Sequence, residues 1–271
     1  MLEAAQCQSA SLRQSAVELN RRLETRDVNF SLHIFESLAS TSQTLWDLLA
    51  QGATPGTVVI ATEQTAGRGQ WGRQWHSPGG GLYLSVALAP NLPAQLAPYL
   101  TLSSAWGIAT ALRDLGIPVL LKWPNDLVLS GRKLGGILTE TRVQQGKITK
   151  AVVGVGINWT NSVPETGINL QSFLENHPTP PITSLEMLAA IALASIVSGY
   201  QYWQQETIET LLSSYENLLT NLGQKVIVEG QPGLVVGICA NGDLKVRIHP
   251  STVAPPVDIC LQPGTISLGY R

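Results

Sequence analysis

Four cations are spaced along this chain in settings that suit anion chemistry. Arg68 and Arg73 lie in the glycine-rich segment "TEQTAGRGQWGRQWHSPGGGLYLSV" (62–86), Lys122 opens "KWPND" (122–126), and Lys133 sits in "GRKLGGIL" (131–138). Guanidinium forks match carboxylates and phosphates, and glycines such as Gly67, Gly69 and Gly72 let backbone N–H groups approach a ligand. Asp126 suits either proton transfer or an ion pair with Lys122. Gly135 and Gly136 are a doublet of the kind that marks close approach of a ligand or another backbone to a strand. "GVGIN" (154–158) repeats that logic, with Asn158 at its end. Taken singly, each segment also suits a plainer role: a hairpin turn, a surface ion pair, a solvated lysine, a strand packed through small residues. The loop matches neither the phosphate loop ending in Gly-Lys-Ser/Thr nor the dinucleotide fingerprint that opens a helix.

The elements that must position these residues can be read from periodicity. Residues 1–30 read as a polar helical lead-in, and Ser40 to Ala50 as a helix behind a Ser/Thr cap. "GTVVIATEQ" enters the glycine loop as a strand and "GLYLSVAL" leaves it as another. Tyr99 to Leu115 has helical spacing and stops at Gly116. "IPVLLKWPNDLVL" reads as strand, turn, strand, broken at Pro124. "KLGGILTETRV" and "KAVVGVGINW" are two more strands about a turn at Gly146. Thr183 to Glu186 has capping-box spacing and opens a buried helix over Leu185–Tyr200, and a further helix is expected around Gln205–Leu219. The expectation is an α/β (α+β) catalytic domain over 31–221, with a mixed, largely antiparallel sheet. A small SH3-like β-barrel over 222–271 follows.

Composition narrows the function classes. Of 271 residues, 44% are hydrophobic and 13% charged, which favours a buried core over disorder. A net charge of −2 gives no overall attraction to nucleic acid or anionic membrane. Cys7, Cys239 and Cys260 are scattered and odd in number, so no disulfide framework is expected and a reducing cytoplasm fits. The four histidines are dispersed, so no resident metal site is expected.

The order of "STSQ" (40–43), "EQTAGRGQWGRQW", "KWPND", "KLGGILTE", "GVGIN" and "GTISLG" resembles the biotin–protein ligase family, over about residues 35–271. The resemblance implies ATP-dependent activation of biotin to biotinyl-5′-AMP, with Mg²⁺ on the phosphates. Biotin then passes to a lysine of the biotin carboxyl carrier protein of acetyl-CoA carboxylase. By the family pattern Ser40, Thr41, Ser42 and Gln64 would meet biotin's ureido head group, with Arg68, Gly69, Gln70, Lys133, Gly135 and Gly136 along the rest of the biotin site. Arg68, Arg73, Trp75, Asn125, Lys133 and Asn158 would hold ATP or the adenylate, with Trp159 as another ring for biotin or adenine. The catalytic set would be Lys133, Arg68, Lys122 and Asp126, the last orienting the target lysine.

Two positions depart from that pattern. The family loop usually reads Gly-Arg-Gly-Arg, but Gln70 stands at the second arginine, and Ser42 stands where Asn is common. The 39 residues before Ser40 show no basic recognition helix, so the resemblance is to a short form without a DNA-binding domain and sequence-specific DNA is not expected as a partner. No membrane association is expected, and a homodimer is left open. A lipoate–protein ligase-like transferase and a non-catalytic binding module are the competing readings. Lipoyl recognition would not call for the polar groups of "STSQ" and Gln64, and a binding module would not call for four converging cations.

Overall fold

The computed structural model describes residues 14, 15, 17–19, 21, 22, 30–175, 177–248 and 255–270. Within the expected lead-in, the described residues between 14 and 22 are helical, and the remainder up to 29 lies outside the described set.

The chain then runs β1 (Ser31–Leu38), α1 (Thr41–Ala50), β2 (Thr57–Gln64), β3 (Leu82–Leu88), β4 (Leu92–Pro93) and α2 (Ala97–Asp114). It continues β5 (Leu120–Lys122), β6 (Asp126–Leu129), β7 (Arg132–Gln144), β8 (Lys147–Ile157), α3 (Leu170–Leu174), α4 (Leu185–Gln205) and α5 (Ile208–Glu216). Strands order as β1-β2-β3-β8-β7-β6-β5, with β4 pairing β8. Among the described strands of this sheet β1 and β2 run parallel, and the other pairs are antiparallel. The sheet is therefore mixed and largely antiparallel, as the sequence predicts.

Both faces of this sheet are covered, which explains why β2 and β3 read as almost continuous apolar runs. Val59, Ala87 and Val152 pack under Leu45, Trp46 and Leu49 of α1. Their neighbours Val58, Ile60, Val86 and Val153 point the opposite way, into the larger core with α2, α4 and α5. α2 and α4 cross at very short range. A Cβ on Gly107 would strike the Ser195 carbonyl oxygen, and one on Gly199 would strike the Ser103 carbonyl oxygen. At the start of α4 the cap is Ser184, whose hydroxyl accepts from the Met187 N–H at 3.2 Å, and not Thr183. Ser is three residues from that donor, whereas Thr183 would be one residue too far back.

The C-terminal strands β9 (Lys225–Val228), β10 (Gln231–Ile238), β11 (Leu244–Ile248) and β12 (Val257–Leu261) form an antiparallel sheet ordered β12-β11-β10-β9. This is an SH3-like sheet but not the closed barrel expected from sequence. Residues 262–270, which could have supplied a closing strand, form no strand and run back to the main domain, where Leu268 is buried in the large core. The cysteine reading is also corrected. Cys239 and Cys260 are bridged, because β10, β11 and β12 are adjacent strands that bring Cα atoms 21 residues apart in sequence to 6.1 Å. Cys7 lies outside the described residues.

Candidate active site

Three segments read separately in the sequence meet in one cleft of about 200 Å³. Its floor comes from β7 and β8, which place Gly136, Leu138, Gly154 and Gly156 side by side because Gly136 pairs with Gly156 and Leu138 with Gly154. Gly156 has to lack a side chain. Its Cβ would lie 2.5 Å from Trp75 Nε1, so the indole occupies the space that a side chain would fill. Trp75 Nε1 is buried and finds no hydrogen-bond acceptor, which leaves an N–H available to a ligand on a residue that lines the cleft.

The polar end is built at the start of α1. Ser40, Thr41 and Ser42 are all buried and all line the cleft. Ser40 is the N-cap residue, but its side chain makes no capping bond. Gln64, at the end of β2, performs that task. Its Oε1 accepts from the Thr41 backbone N–H at 2.8 Å and from the Thr41 hydroxyl at 3.2 Å, while its Nε2 donates to Ser77 Oγ at 2.8 Å. Ser85 in β3 ties the group together, with its hydroxyl 2.8 Å from Thr41 Oγ1 and 3.1 Å from Ser42 Oγ. Sequence reasoning missed Ser85 because a lone serine in "GLYLSVAL" looks like any strand residue. Its complete burial in an apolar sheet is the signal, and burial is not visible in sequence.

The glycine loop closes on itself over this cleft. Gly69 N–H donates to the Arg73 carbonyl at 2.7 Å and Trp75 N–H to the Gly67 carbonyl at 2.9 Å, with Gln70–Gly72 forming a 3₁₀ turn at the tip. Trp71 has a left-handed backbone (φ 59°) and is 65% exposed. Its ring lies 3.5 Å from the Cβ position of Gly264, so the loop tip rests on the C-terminal tail. Arg68 forms a forked pair with Glu140 of β7, at 2.7 and 3.3 Å.

"KWPND" is the β5–β6 turn, with a cis peptide at Trp123–Pro124. The C-terminal third of the chain holds it. Trp123 N–H donates to Asn221 Oδ1 at 3.1 Å, Trp123 Nε1 to the Gly242 carbonyl at 3.0 Å, and Tyr215 OH to the Pro124 carbonyl at 3.0 Å. Asn125 Nδ2 donates to the Ile137 carbonyl at 2.7 Å. Of the two roles open to Asp126, the ion pair with Lys122 is not the one formed. Asp126 Oδ1 lies 2.7 Å from Lys133 Nζ on β7, and its Oδ2 accepts from Tyr270 OH. Lys122 Nζ instead sits 3.6 Å above the centre of the Tyr270 ring.

Arg68, Gly69, Gln70, Arg73, Trp75, Lys122, Asn125, Asp126, Lys133 and Gly136 thus line one cleft, together with the α1 end and Gln64. Three expected ligand residues do not. Gly135 is buried on the other side of β7, where a Cβ would meet the Gly156 carbonyl at 2.6 Å; alternation turns only its neighbour Gly136 to the cleft. Asn158 is buried behind the floor. Its Nδ2 lies 3.4 Å from the Lys133 carbonyl and 3.3 Å from the Ile168 carbonyl, and its Oδ1 accepts from Asn161, so it braces the Lys133 backbone. Trp159 also packs against the core and does not line the cleft.

Four cations and one carboxylate face this space, an excess that favours anions. Burial pushes the Lys122 ammonium below the ordinary lysine range; Asp126 opposes this, while Lys133 and Arg73 push it further down. An anion placed among these groups would restore the charged form. Chemically, the cleft joins a hydrogen-bonding polar end, a small-residue floor and a cationic mouth with a carboxylate at its edge.

The sequence profile of the Biotin/lipoate A/B protein ligase family matches residues 34–158. A biotin–[acetyl-CoA-carboxylase] ligase from Mycobacterium tuberculosis is 32% identical over 222 residues, covering 78% of this chain and 80% of that protein. The bifunctional ligase/repressor BirA of Bacillus subtilis is 38% identical over 146 residues, covering 53% of this chain and 45% of that one. The chain spans about half the length of the curated ligase/repressor relatives it matches, 45% of the Bacillus protein and 59% of the Escherichia coli one. Among solved structures, the biotin protein ligase from Aquifex aeolicus in complex with biotin and ATP superposes with a TM-score of 0.66 at 27% identity. That match covers 89% of this chain and 99% of the other.

Proposed function

The chain belongs to the biotin–protein ligase family, and we propose that it converts biotin and ATP to biotinyl-5′-AMP and pyrophosphate. It then transfers the biotinyl group to a lysine of the biotin carboxyl carrier protein of acetyl-CoA carboxylase. The observation that carries this reading is the convergence of Arg68, Arg73, Lys122 and Lys133 on one cleft that is also lined by the buried Ser40, Thr41 and Ser42 and the half-buried Gln64.

The first step joins two anions, the biotin carboxylate and the α-phosphate of ATP. Preorganised cations offset their repulsion and the charge that grows on the phosphate oxygens. Lys133, which lines the cleft, bridges carboxylate and phosphate; Arg68, Arg73 and Lys122 take the remaining phosphate charge. Mg²⁺ enters as part of the MgATP substrate, held chiefly by the phosphates and water. The biotin carboxylate oxygen forms a bond to the α-phosphorus, and pyrophosphate leaves with the electron pair of the P–O bond.

In the second step the target lysine gives one proton to Asp126, and its neutral amine forms a bond to the biotinyl carbonyl carbon. The second N–H proton passes to solvent as the C–O bond to phosphate breaks and AMP departs. Trp75 and Asn125 flank the adenylate, and the loop tip at Gln70 and Trp71 shields it from water. The hydroxyls at the start of α1 suit a ureido ring, which both donates and accepts, better than the apolar ring of a lipoyl group. A reaction that consumes ATP fits the cytoplasm, where ATP is supplied. Neither sequence-specific DNA nor a membrane surface has a part in this reading.

Incubation of the protein with an isolated carrier domain, MgATP and either biotin or lipoate tests it. Biotinylation of one carrier lysine that depends on ATP supports the reading. Modification by lipoate in preference to biotin, or no ATP dependence, contradicts it.

A further inference from the structure

The C-terminal tail reaches the reacting groups through one side chain. Tyr270 OH donates to Asp126 Oδ2, and the Tyr270 ring lies under Lys122 Nζ at 3.6 Å. Leu268, two residues earlier, is buried in the core, and Gly264 packs against the Trp71 ring, so the tail is anchored at two points along the cleft. Asp126 therefore has both oxygens engaged: Oδ1 by Lys133 at 2.7 Å and Oδ2 by Tyr270.

These two partners have different fates when the anionic substrates arrive. Lys133 Nζ lies 3.7 Å from the position a Cβ on Gly136 would take and 5.1 Å from the centre of the Trp75 ring, over the cleft floor, and is drawn to carboxylate and phosphate. That releases Asp126 Oδ1, the atom nearest the cleft floor, where a Cβ on Gly136 would be 3.4 Å away. A carboxylate that loses one of two partners is free to rotate unless the other holds it, and a base misplaced by about 1 Å can lose about 10²-fold in rate. We propose that Tyr270 is a positioning residue for the transfer step: its hydroxyl fixes Asp126 so that Oδ1 faces the incoming lysine, and its ring fixes Lys122. This rests on the proposed ligase reaction and on Asp126 as the group that takes the lysine's proton.

The phenol is suited to the task. Burial raises its ionisation far above the usual tyrosine range and the adjacent Asp126 charge raises it further, so it remains a donor throughout the working pH range. The ring covers the face of an ammonium whose other neighbours include Lys133 and Arg73, which gives Lys122 an attractive partner that carries no charge.

Two variants separate the two contacts. Tyr270→Phe keeps the ring and loses the hydroxyl, whereas Tyr270→Leu loses both. Single-turnover transfer from preformed biotinyl-adenylate to the carrier domain is expected to fall about 10-fold or more in Tyr270→Phe, in kcat with the carrier KM held. Pyrophosphate exchange in that variant is expected to fall by a smaller factor, and in Tyr270→Leu by a larger one, since Lys122 loses its ring. A substrate-free measurement stands beside these: with 3-fluorotyrosine incorporated, the resonance that disappears in Tyr270→Phe should shift in Asp126→Asn. Transfer by Tyr270→Phe at or above the wild-type rate would overturn the proposal, the faster case meaning that the tail obstructs Asp126. An unmoved fluorine resonance would overturn it too. Wild-type protein that runs neither reaction would instead defeat the ligase reading, whatever the fluorine spectrum shows.

Discussion

Lys133 Nζ and Asp126 Oδ1 lie 2.7 Å apart across the β6–β7 pair, which joins the residue assigned to adenylate formation to the one assigned to transfer. In the proposed reaction the two halves therefore share one ion pair that must open between them. Asp126→Asn keeps the shape and removes the base. Transfer to the carrier is expected to fall about 10²-fold or more, the usual scale for losing a general base. Exchange should fall less. The two rates, measured by rapid quench, check this; equal losses in both would mean that Asp126 acts only by holding Lys133.

Lys122 carries a pH dependence with a definite sign. Its ammonium is held below the ordinary lysine range by burial first, with Lys133 and Arg73 acting in the same direction against Asp126. In the proposed reaction the protonated form binds the phosphate and the neutral form does not. Affinity for a stable adenylate analogue should therefore be steady at lower pH and weaken as pH rises through the lowered lysine pKa. In Lys122→Arg the guanidinium stays charged and that alkaline loss should disappear. Titration calorimetry from pH 6 to 10 checks it, and an identical alkaline decline in the arginine variant would count against Lys122.

Gln70 and Trp71 form the loop tip, Gln70 lining the cleft and Trp71 resting on Gly264. Glutamine donates a hydrogen bond without a charge, and a charged one is about twice as strong. Gln70→Arg should slow dissociation of biotinyl-adenylate, and Trp71→Ala should speed it by detaching the tip from the tail. Stopped-flow off-rates decide this, and an unchanged off-rate in Gln70→Arg would remove residue 70 from the phosphate.

Much of the frame could be read directly from the residues. β2, β3, β7 and β8 follow from their apolar, β-branched patterns, and α2 and α4 from helical spacing between clear stops. β1 was not legible, because "SLHIFESL" buries only Leu32 and Ile34 and sits at the sheet edge beside β2. The site residues were found through their order along the chain, but their directions were not. Alternation decides that Gly136 faces the cleft and Gly135 does not, and this depends on register. Asn158, Ser85 and the Cys239–Cys260 bridge depend on pairings between distant strands. Tyr270 could not be found at all by spacing, since 144 residues separate it from Asp126.

The α2–α4 crossing gives a stability prediction that needs no ligand. Gly107→Ala gains helix propensity of about 1 kcal/mol. Against that, the new methyl meets the Ser195 backbone carbonyl, which can yield only if a whole helix shifts. Overpacking of this kind costs about 1–3 kcal/mol, so the steric term wins. Urea unfolding should show lower midpoints for Gly107→Ala and Gly199→Ala, and a raised midpoint in either would show that the helices can part without loss.

If the cationic cleft makes an acyl-adenylate from biotin, exchange of labelled pyrophosphate into ATP reads that step directly. Exchange is expected in the wild-type protein only when biotin is present. A fall of about 10²-fold or more is also expected in Lys133→Ala at saturating biotin, the scale of losing one preorganised charge partner of the transition state. Exchange that is indifferent to biotin, or that continues at the wild-type rate in Lys133→Ala, would contradict the proposed reaction.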